Sequence, residues 1–472
     1  MAVATDDDIR LAVSTELGRD QHIHDANVQV QATNGAVTLT GTVDNLLSRE
    51  RAARLAAMVR GVRSVDDRIE VIPALRPDSE IAADVRKALE YNPATAIMPI
   101  TVRVRNAVVT LTGTITSWQE QQLAERVANG VRGVRFTQND LTTQPNTRRT
   151  ATEIADDVKS RLGWDALVEH DPITVSVQDR QVVLSGTTGS LAERVRAAND
   201  ARVDGVVGVD ASRLLVDTAQ RPDANLRRVA VSKSDAEIAK AIMNAARYDP
   251  RIRAANITPR VADGAVTLLG TVDTLSARMA AAALARNTVG VRTVNNELTV
   301  RPLRRVSNAI LQHQVSDALV FDPLVDMSHV KLTVDNGQVT LTGSVNTNFE
   351  RAEMLDDVSG IPNVIRVDDQ LAVQSPAEPF VYSAWVDPFT PHADGWYVTS
   401  LRPSLSDSEI ARRIQENLKR SAFVDPKDVN VSVERGEATL TGTTSSYRER
   451  QAAIDGALEA GAVAVHDQLS VS

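Results

Sequence analysis

Apolar residues recur at every fourth position in short stretches of the chain: Ile9, Val13 and Leu17; Ile81, Val85 and Leu89; Ile154, Val158 and Leu162; Ile410, Ile414 and Leu418. That spacing draws one apolar stripe along a helix. Thr150 with Glu153, Ser234 with Glu237 and Ser406 with Glu409 have the spacing of capping boxes, which predicts three helix starts. Asn92-Pro93, Asp249-Pro250, Asp322-Pro323 and Asp425-Pro426 mark the ends, because proline disfavours helix for the residue before it. The period then changes to two, as in Ile173, Val175 and Val177, in Val330, Leu332 and Val334, and in Val429, Val431 and Val433. These are predicted strands with one buried face. Asn34-Gly35, Asp263-Gly264 and Asn336-Gly337 suit the positive φ of a two-residue hairpin turn. Asn106-Ala107 and Asp179-Arg180 stand at the same place elsewhere, where looser turns are expected. Pro259 places its strand at a sheet edge.

The second strand of each hairpin is nearly the same six times, with a glycine at Gly41, Gly113, Gly186, Gly270, Gly343 and Gly442. These glycines are 72, 73, 84, 73 and 99 residues apart, a period that describes tandem small domains and not a solenoid. A second helix follows, for example over 47–59, and then a closing strand such as Val65 to Val71 or Val367 to Val373. The order is αββαβ. Its second helix is a crossover, so the last two strands run parallel and both helices cover one sheet face. The predicted class is α+β, six tandem units with two helices on a three-stranded mixed sheet. Their expected bounds are 1–75, 76–146, 147–220, 233–302, 303–375 and 404–472, with a linker at 221–232 and a connection at 376–403.

The αββαβ order, the Val-Thr-Leu-x-Gly-Thr strand end and the closing Gly-Val-x-x-Val-x-Asn/Asp segment resemble the BON domain, named for bacterial osmotic-shock-inducible and nodulation proteins. The resemblance covers about nine-tenths of the chain. It places the family's first glycine on the six residues above, as structural glycines. Its second glycine falls on Gly61, Gly133, Gly205, Gly290, Gly360 and Gly461, with inserted residues after Gly360. The resemblance implies binding to phospholipid or envelope surfaces in stress protection, or an adaptor role, without catalysis.

Composition narrows the partners. The 472 residues carry 61 acids against 52 bases, a formal charge of −9, which speaks against a nucleic-acid coat. With no cysteine, disulfides, thiolate metal sites and a cysteine nucleophile are excluded. No apolar run approaches the ~18 residues of a membrane-spanning helix. The start Met1-Ala2-Val3-Ala4-Thr5-Asp6 lacks the features of a secretory signal, so a cytoplasmic location is expected, with a periplasmic or envelope-associated one as the alternative.

Little in the sequence points to catalysis. No nucleophile elbow, HExxH or dinucleotide fingerprint is present, and no cofactor or metal is expected. His22 and His24 alternate as metal ligands sometimes do, yet no second pair recurs, so they read as loop residues. The acid pairs Asp66-Asp67 and Asp368-Asp369 put carboxylates on opposite strand faces and read as solubility devices. Two features stand out. The fourth unit holds twelve basic against six acidic residues over 226–303, and Arg247, Arg251, Arg253 and Arg260 are candidate ligands for an anionic lipid. The connection 376–403 holds six of the fifteen aromatics, and Trp385, Phe389, Trp396 and Tyr397 are candidates for docking a partner or for packing on a neighbouring unit. The expected function is non-catalytic, multivalent binding of an anionic phospholipid or envelope component. The alternative is a cytoplasmic adaptor or scaffold that binds itself or another protein.

Overall fold

A computed structural model describes residues 5–20, 23, 27–144, 149–169, 171–217, 233–252, 256–302, 305–346, 348–373, 405–421, 424–462 and 464–471. The chain forms six α+β copies of one unit. The first comprises α1 (Asp6–Arg19), β1 (Asn27–Thr33), β2 (Ala36–Val43), α2 (Leu46–Met58) and β3 (Ser64–Val71). Strand β2 lies in the middle, antiparallel to β1 and parallel to β3, as the crossover helix requires. The helical stripe Ile9, Val13 and Leu17 packs with Val37 and Leu39 of β2, and all five are nearly fully buried. The copies differ in detail. In copy four the last strand is broken into Thr293–Asn296 and Thr299–Val300, both paired to the central strand, while copy three shifts register between Val183 and Ser185. Pro259 does sit on an edge strand, Ile257–Ala262.

Several local expectations are corrected. The turns in copies two and three are as tight as the others: Asn106, Ala107, Asp179 and Arg180 all take positive φ, between 49° and 64°. An acid holds the turn in copy two, where Asp78 on the first helical residue accepts from the amides of Asn106 and Ala107 at 2.8 and 2.9 Å. Asp6, Asp235 and Asp407 do the same in copies one, four and six. Of the three expected capping boxes, those at Thr150 and Ser234 form completely. Ser406 caps the Glu409 amide, but the Glu409 carboxylate turns to Arg412 and Arg413. In copy five Gly360 ends a helix and has open space around it, whereas Asn363 takes the positive φ, at 73°, that Gly61 or Gly133 supplies elsewhere.

The copies are joined at helix ends. The C-terminal carbonyls of a helix have no partner inside it, and here another copy supplies one. The Arg132 amide of copy two donates to the Phe321 carbonyl of copy five at 2.6 Å, and its guanidinium donates to the carbonyls of Asp322 and Val325 at 2.7 and 2.9 Å. Arg60 of copy one does the same to Arg420, Ser421 and Val424 of copy six, at 3.1, 2.8 and 2.9 Å. Copies three and four join through the equivalent backbone, Val289 to Trp164 and Ala166 to Asn287, both at 2.9 Å. The pairing is therefore one with six, two with five and three with four. Within the first half, Asn129 donates to Glu50 and Gln119 to the Arg202 carbonyl, each at 2.5 Å, linking copy two to copies one and three.

The core of copy three is small, a cluster of thirteen buried apolar residues among those described, few enough that one strained position weakens the whole unit. Gly186 has φ +118°, and an added Cβ would stand 1.9 Å from the Pro172 carbonyl oxygen. Gly186→Ala is expected to destabilise copy three by roughly 3 kcal/mol or more. Hydrogen exchange followed by mass spectrometry should show lost protection in 151–217 first, and full protection there would contradict this.

Candidate functional site

Alternation along the central strands divides each sheet into a helix-covered face and an outer one. Val37 and Leu39 point inward, while Thr38, Thr40 and Thr42 point outward. The outward row repeats as Thr110, Thr112 and Thr114, as Thr340, Thr342 and Ser344, and as Thr439, Thr441 and Thr443. Copies three and four vary it to Val183, Ser185 and Thr187 and to Thr267, Leu269 and Thr271. In all six copies the first edge strand's residues on this face are exposed, for example Gln29, Gln31 and Thr33 beside the first row. The strongest packing between copies is helix on helix, between the first helices of copies two and five, the second helices of one and three, and the second helices of four and five. The helices thus face the shared interior and the hydroxyl-rich sheet faces look outward.

Two outer faces carry exposed arginines. Arg260 of copy four is exposed and lies opposite Thr267 in the hairpin register. In copy two Arg103 lies opposite Thr110, and Arg105, Val108 and Phe136 form one row across the three strands. Phe136 is 51% exposed there, with Arg103 and Arg105 exposed beside it. Sequence reasoning missed this face because copy two is not basic as a whole. The available signal was a basic residue at alternate positions in Thr101–Arg105, a strand whose other face is apolar.

The other candidates fall apart as a group. Arg247 closes its helix and is exposed. Arg251 turns inward: its guanidinium holds both Asp249 oxygens, at 2.9 and 2.6 Å, and its side chain is only 10% exposed. Arg253, Trp385, Phe389, Trp396 and Tyr397 lie outside the described residues, as do His22 and His24. Among the described residues no three or more His, Asp or Glu side chains are placed to hold a metal ion. No helix among them is long and apolar enough to cross a membrane.

Where copies one, two, four and five meet, a cavity of about 260 Å³ opens. Arg51, Arg54, Arg126 and Arg251 line it from three copies, and Asp322, Glu353, Asp356 and Asp357 line it from copy five. Asp322 closes the first helix of copy five and accepts from the Leu324 amide at 2.6 Å. Burial pushes its carboxyl up to about 6, against the opposing effects of the Leu324 amide, Asp357 and Arg132. Asp357, in hydrogen-bond contact with Asp322, is raised well above the usual carboxylate range, first by burial and then by the charges of Asp322, Glu353 and Asp356. Both carboxyls are thus biased towards sharing a proton over ionising together.

Comparison with known proteins agrees with the repeat. A profile of the BON domain matches residues 5–73, 77–145, 150–217, 234–302, 307–375 and 406–472. Osmotically-inducible protein Y of Escherichia coli (strain K12) is 27% identical over 146 residues, which cover 29% of this chain and 73% of that protein. Outer membrane lipoprotein DolP of Haemophilus influenzae is 33% identical over 133 residues, 27% of this chain and 69% of that one. Among solved structures, CdsD, a structural protein of the type III secretion system of Chlamydia trachomatis, shares 15% identity over 43% of this chain and 90% of its own, with a TM-score of 0.13. Its C-terminal domain alone gives 15% identity over 44% and 98%, with a TM-score of 0.12.

The acid pair fixes a pH dependence. Both folded pKa values lie above the ~4 of an unfolded aspartate, so folding retains a proton that the unfolded chain releases. The stabilisation is complete below about pH 4 and is lost as pH rises through about 6 and beyond. Asp357→Asn keeps a donor towards Asp322 without needing that proton. It should raise stability by about 2 kcal/mol at pH 8 and change little at pH 4. Urea unfolding at the two pH values checks this, and an equal effect at both would contradict it.

Proposed function

The chain belongs to the BON domain family, and from that premise we propose that it is a non-catalytic, multivalent binding protein of the cell envelope, engaging anionic phospholipid or another envelope surface under stress. The observation that carries this reading is the outer face of copy two, where exposed Phe136 shares a cross-strand row with Arg105 and lies near Arg103. An aromatic ring beside guanidinium groups suits the boundary between headgroups and acyl chains. Arg260 on the outer face of copy four offers a second, weaker contact, and tethered weak contacts gain avidity.

The relatives support the envelope over the cytoplasm. One is by name an outer membrane lipoprotein and the other is osmotically inducible. Envelope placement and stress protection are carried to this chain as part of the same proposal. The scaffold alternative has its own physical basis, since each three-stranded sheet keeps two outer edge strands that could pair with another molecule.

Sedimentation with vesicles of phosphatidylglycerol and phosphatidylethanolamine tests the reading. Binding should fall with added salt, and Arg103→Glu, Arg105→Glu and Arg260→Glu together should weaken it about tenfold or more. Arg251→Gln should leave it unchanged in folded protein, because that side chain faces the interior. Absent or salt-independent binding contradicts the proposal, and a mass that rises with concentration without vesicle binding favours the scaffold.

A further inference from the structure

The six sheets share one topology but protect their first edge strands differently. In copy two that strand carries Arg103 and Arg105, in copy five Lys331 and Asp335, and in copy six Glu434. Copy four places Pro259 and Arg260 there. Copy three has an uncharged strand, but it opens directly after Pro172, which has no amide to offer, and closes on the charged turn Asp179-Arg180. Charge and proline on an edge keep it from pairing with another chain. The closing strands are guarded as well. Each carries an acid except that of copy four, which is interrupted at Glu297.

Strand β1 of copy one differs: its seven residues, Asn27–Thr33, include neither a charge nor a proline. It packs on β2 and α1. Thr33 and Ala36 flank the two-residue turn as a hydrogen-bonded pair, so alternation turns the amides and carbonyls of Val28, Val30 and Ala32 to the open side. No backbone group of another described residue bonds them there. Copy four checks this assignment. Pro259 faces Leu268 as Val30 faces Leu39, and the strand pairs with its neighbour although that position has no amide.

The strand is also its own complement. Set antiparallel against a second copy of itself and centred on Val30, all seven residues find partners. Gln29 then stands opposite Gln31 and Asn27 opposite Thr33 on the outer face, while Val28 meets Ala32 on the face that packs on the core. Val28, Val30 and Ala32 of the two chains exchange about six backbone hydrogen bonds. No charge on either strand meets another across the seam, which matters in a chain of net charge −9.

We propose that the β1 edge of copy one is a homodimer interface, where two chains join their first sheets into one continuous sheet about a two-fold axis. The same edge serves on both chains, so the contact closes on itself and gives a dimer, not a fibre. A dimer doubles the number of outward sheet faces open to multivalent binding, whatever those faces bind.

Sedimentation equilibrium of the full chain tests this. The mass should rise from one chain to two between about 1 and 100 μM, as suits a small interface. Added salt should preserve or strengthen the dimer, because it screens the repulsion between two acidic chains. Val30→Pro should abolish the dimer with the far-ultraviolet circular dichroism unchanged, since copy four accommodates proline at the same place. Gln29→Lys with Gln31→Lys sets like charges opposite each other and should weaken the dimer about tenfold. Gln29→Lys with Gln31→Glu should restore it, because position 29 of one chain faces position 31 of the other. These charge variants serve if the proline variant misfolds. An undiminished dimer in folded Val30→Pro, or equal dimerisation of the two charge variants, would overturn the proposal. Vesicle binding by a chain that stays monomeric throughout would overturn it too, and would leave the lipid reading standing.

Discussion

A helix always ends with carbonyl groups that its own ladder cannot use, and in this chain another copy uses them. Each unit is near the small limit of what one core can hold together. Arg60 and Arg132 each send a backbone amide and a guanidinium across a boundary to several carbonyls at once. Hydrogen bonds from a charged donor contribute about 1.5 to 3 kcal/mol each, comparable with burying one large apolar side chain. The nested order of pairing, the inward helices and the outward sheets all follow from where those helix ends meet. The central cavity and the exposed arginine-bearing faces exist because of that order.

Periodicity in sequence reports what each residue meets inside its own copy, and that part was legible. The stripe Ile154, Val158 and Leu162, the alternation in Ile173–Gln178 and the glycine at Gly186 each fix a local conformation, and the structure has all three. The same logic misplaced the second glycine of copy five: Gly360 looked right by identity, but the chain needs positive φ three residues later, where asparagine tolerates it. Turn tightness was misread because the acid that holds the turn, Asp78, lies 28 residues before Asn106.

The candidate site was less legible, for a physical reason. Arg251 counted as a basic surface residue until its neighbour Asp249 and the meeting of four copies turned it inward. Arg132 meets Asp322 over 190 residues and Arg60 meets Ser421 over 361, separations that leave no periodic trace. Arg105 and Phe136 become neighbours only through the strand register. The open edge of copy one could have been found by aligning the six first strands and asking which has neither charge nor proline. Repetition makes one copy a reference for another, so a change of side chain within a constant fold marks where the copies have taken different roles.

The pairing order is open to a direct chemical test, since the chain has no native cysteine to interfere. Val59 and Ser421 face each other across an antiparallel bridge between copies one and six, a separation within reach of a disulfide. A chain carrying Val59→Cys and Ser421→Cys should close an intramolecular disulfide under mild oxidation while monomeric, seen as a faster band in non-reducing electrophoresis. Val59→Cys with Asp165→Cys, which joins copies that the account keeps in different pairs, should not. Failure of the first pair to close, or equal closure of both, would contradict the nested arrangement.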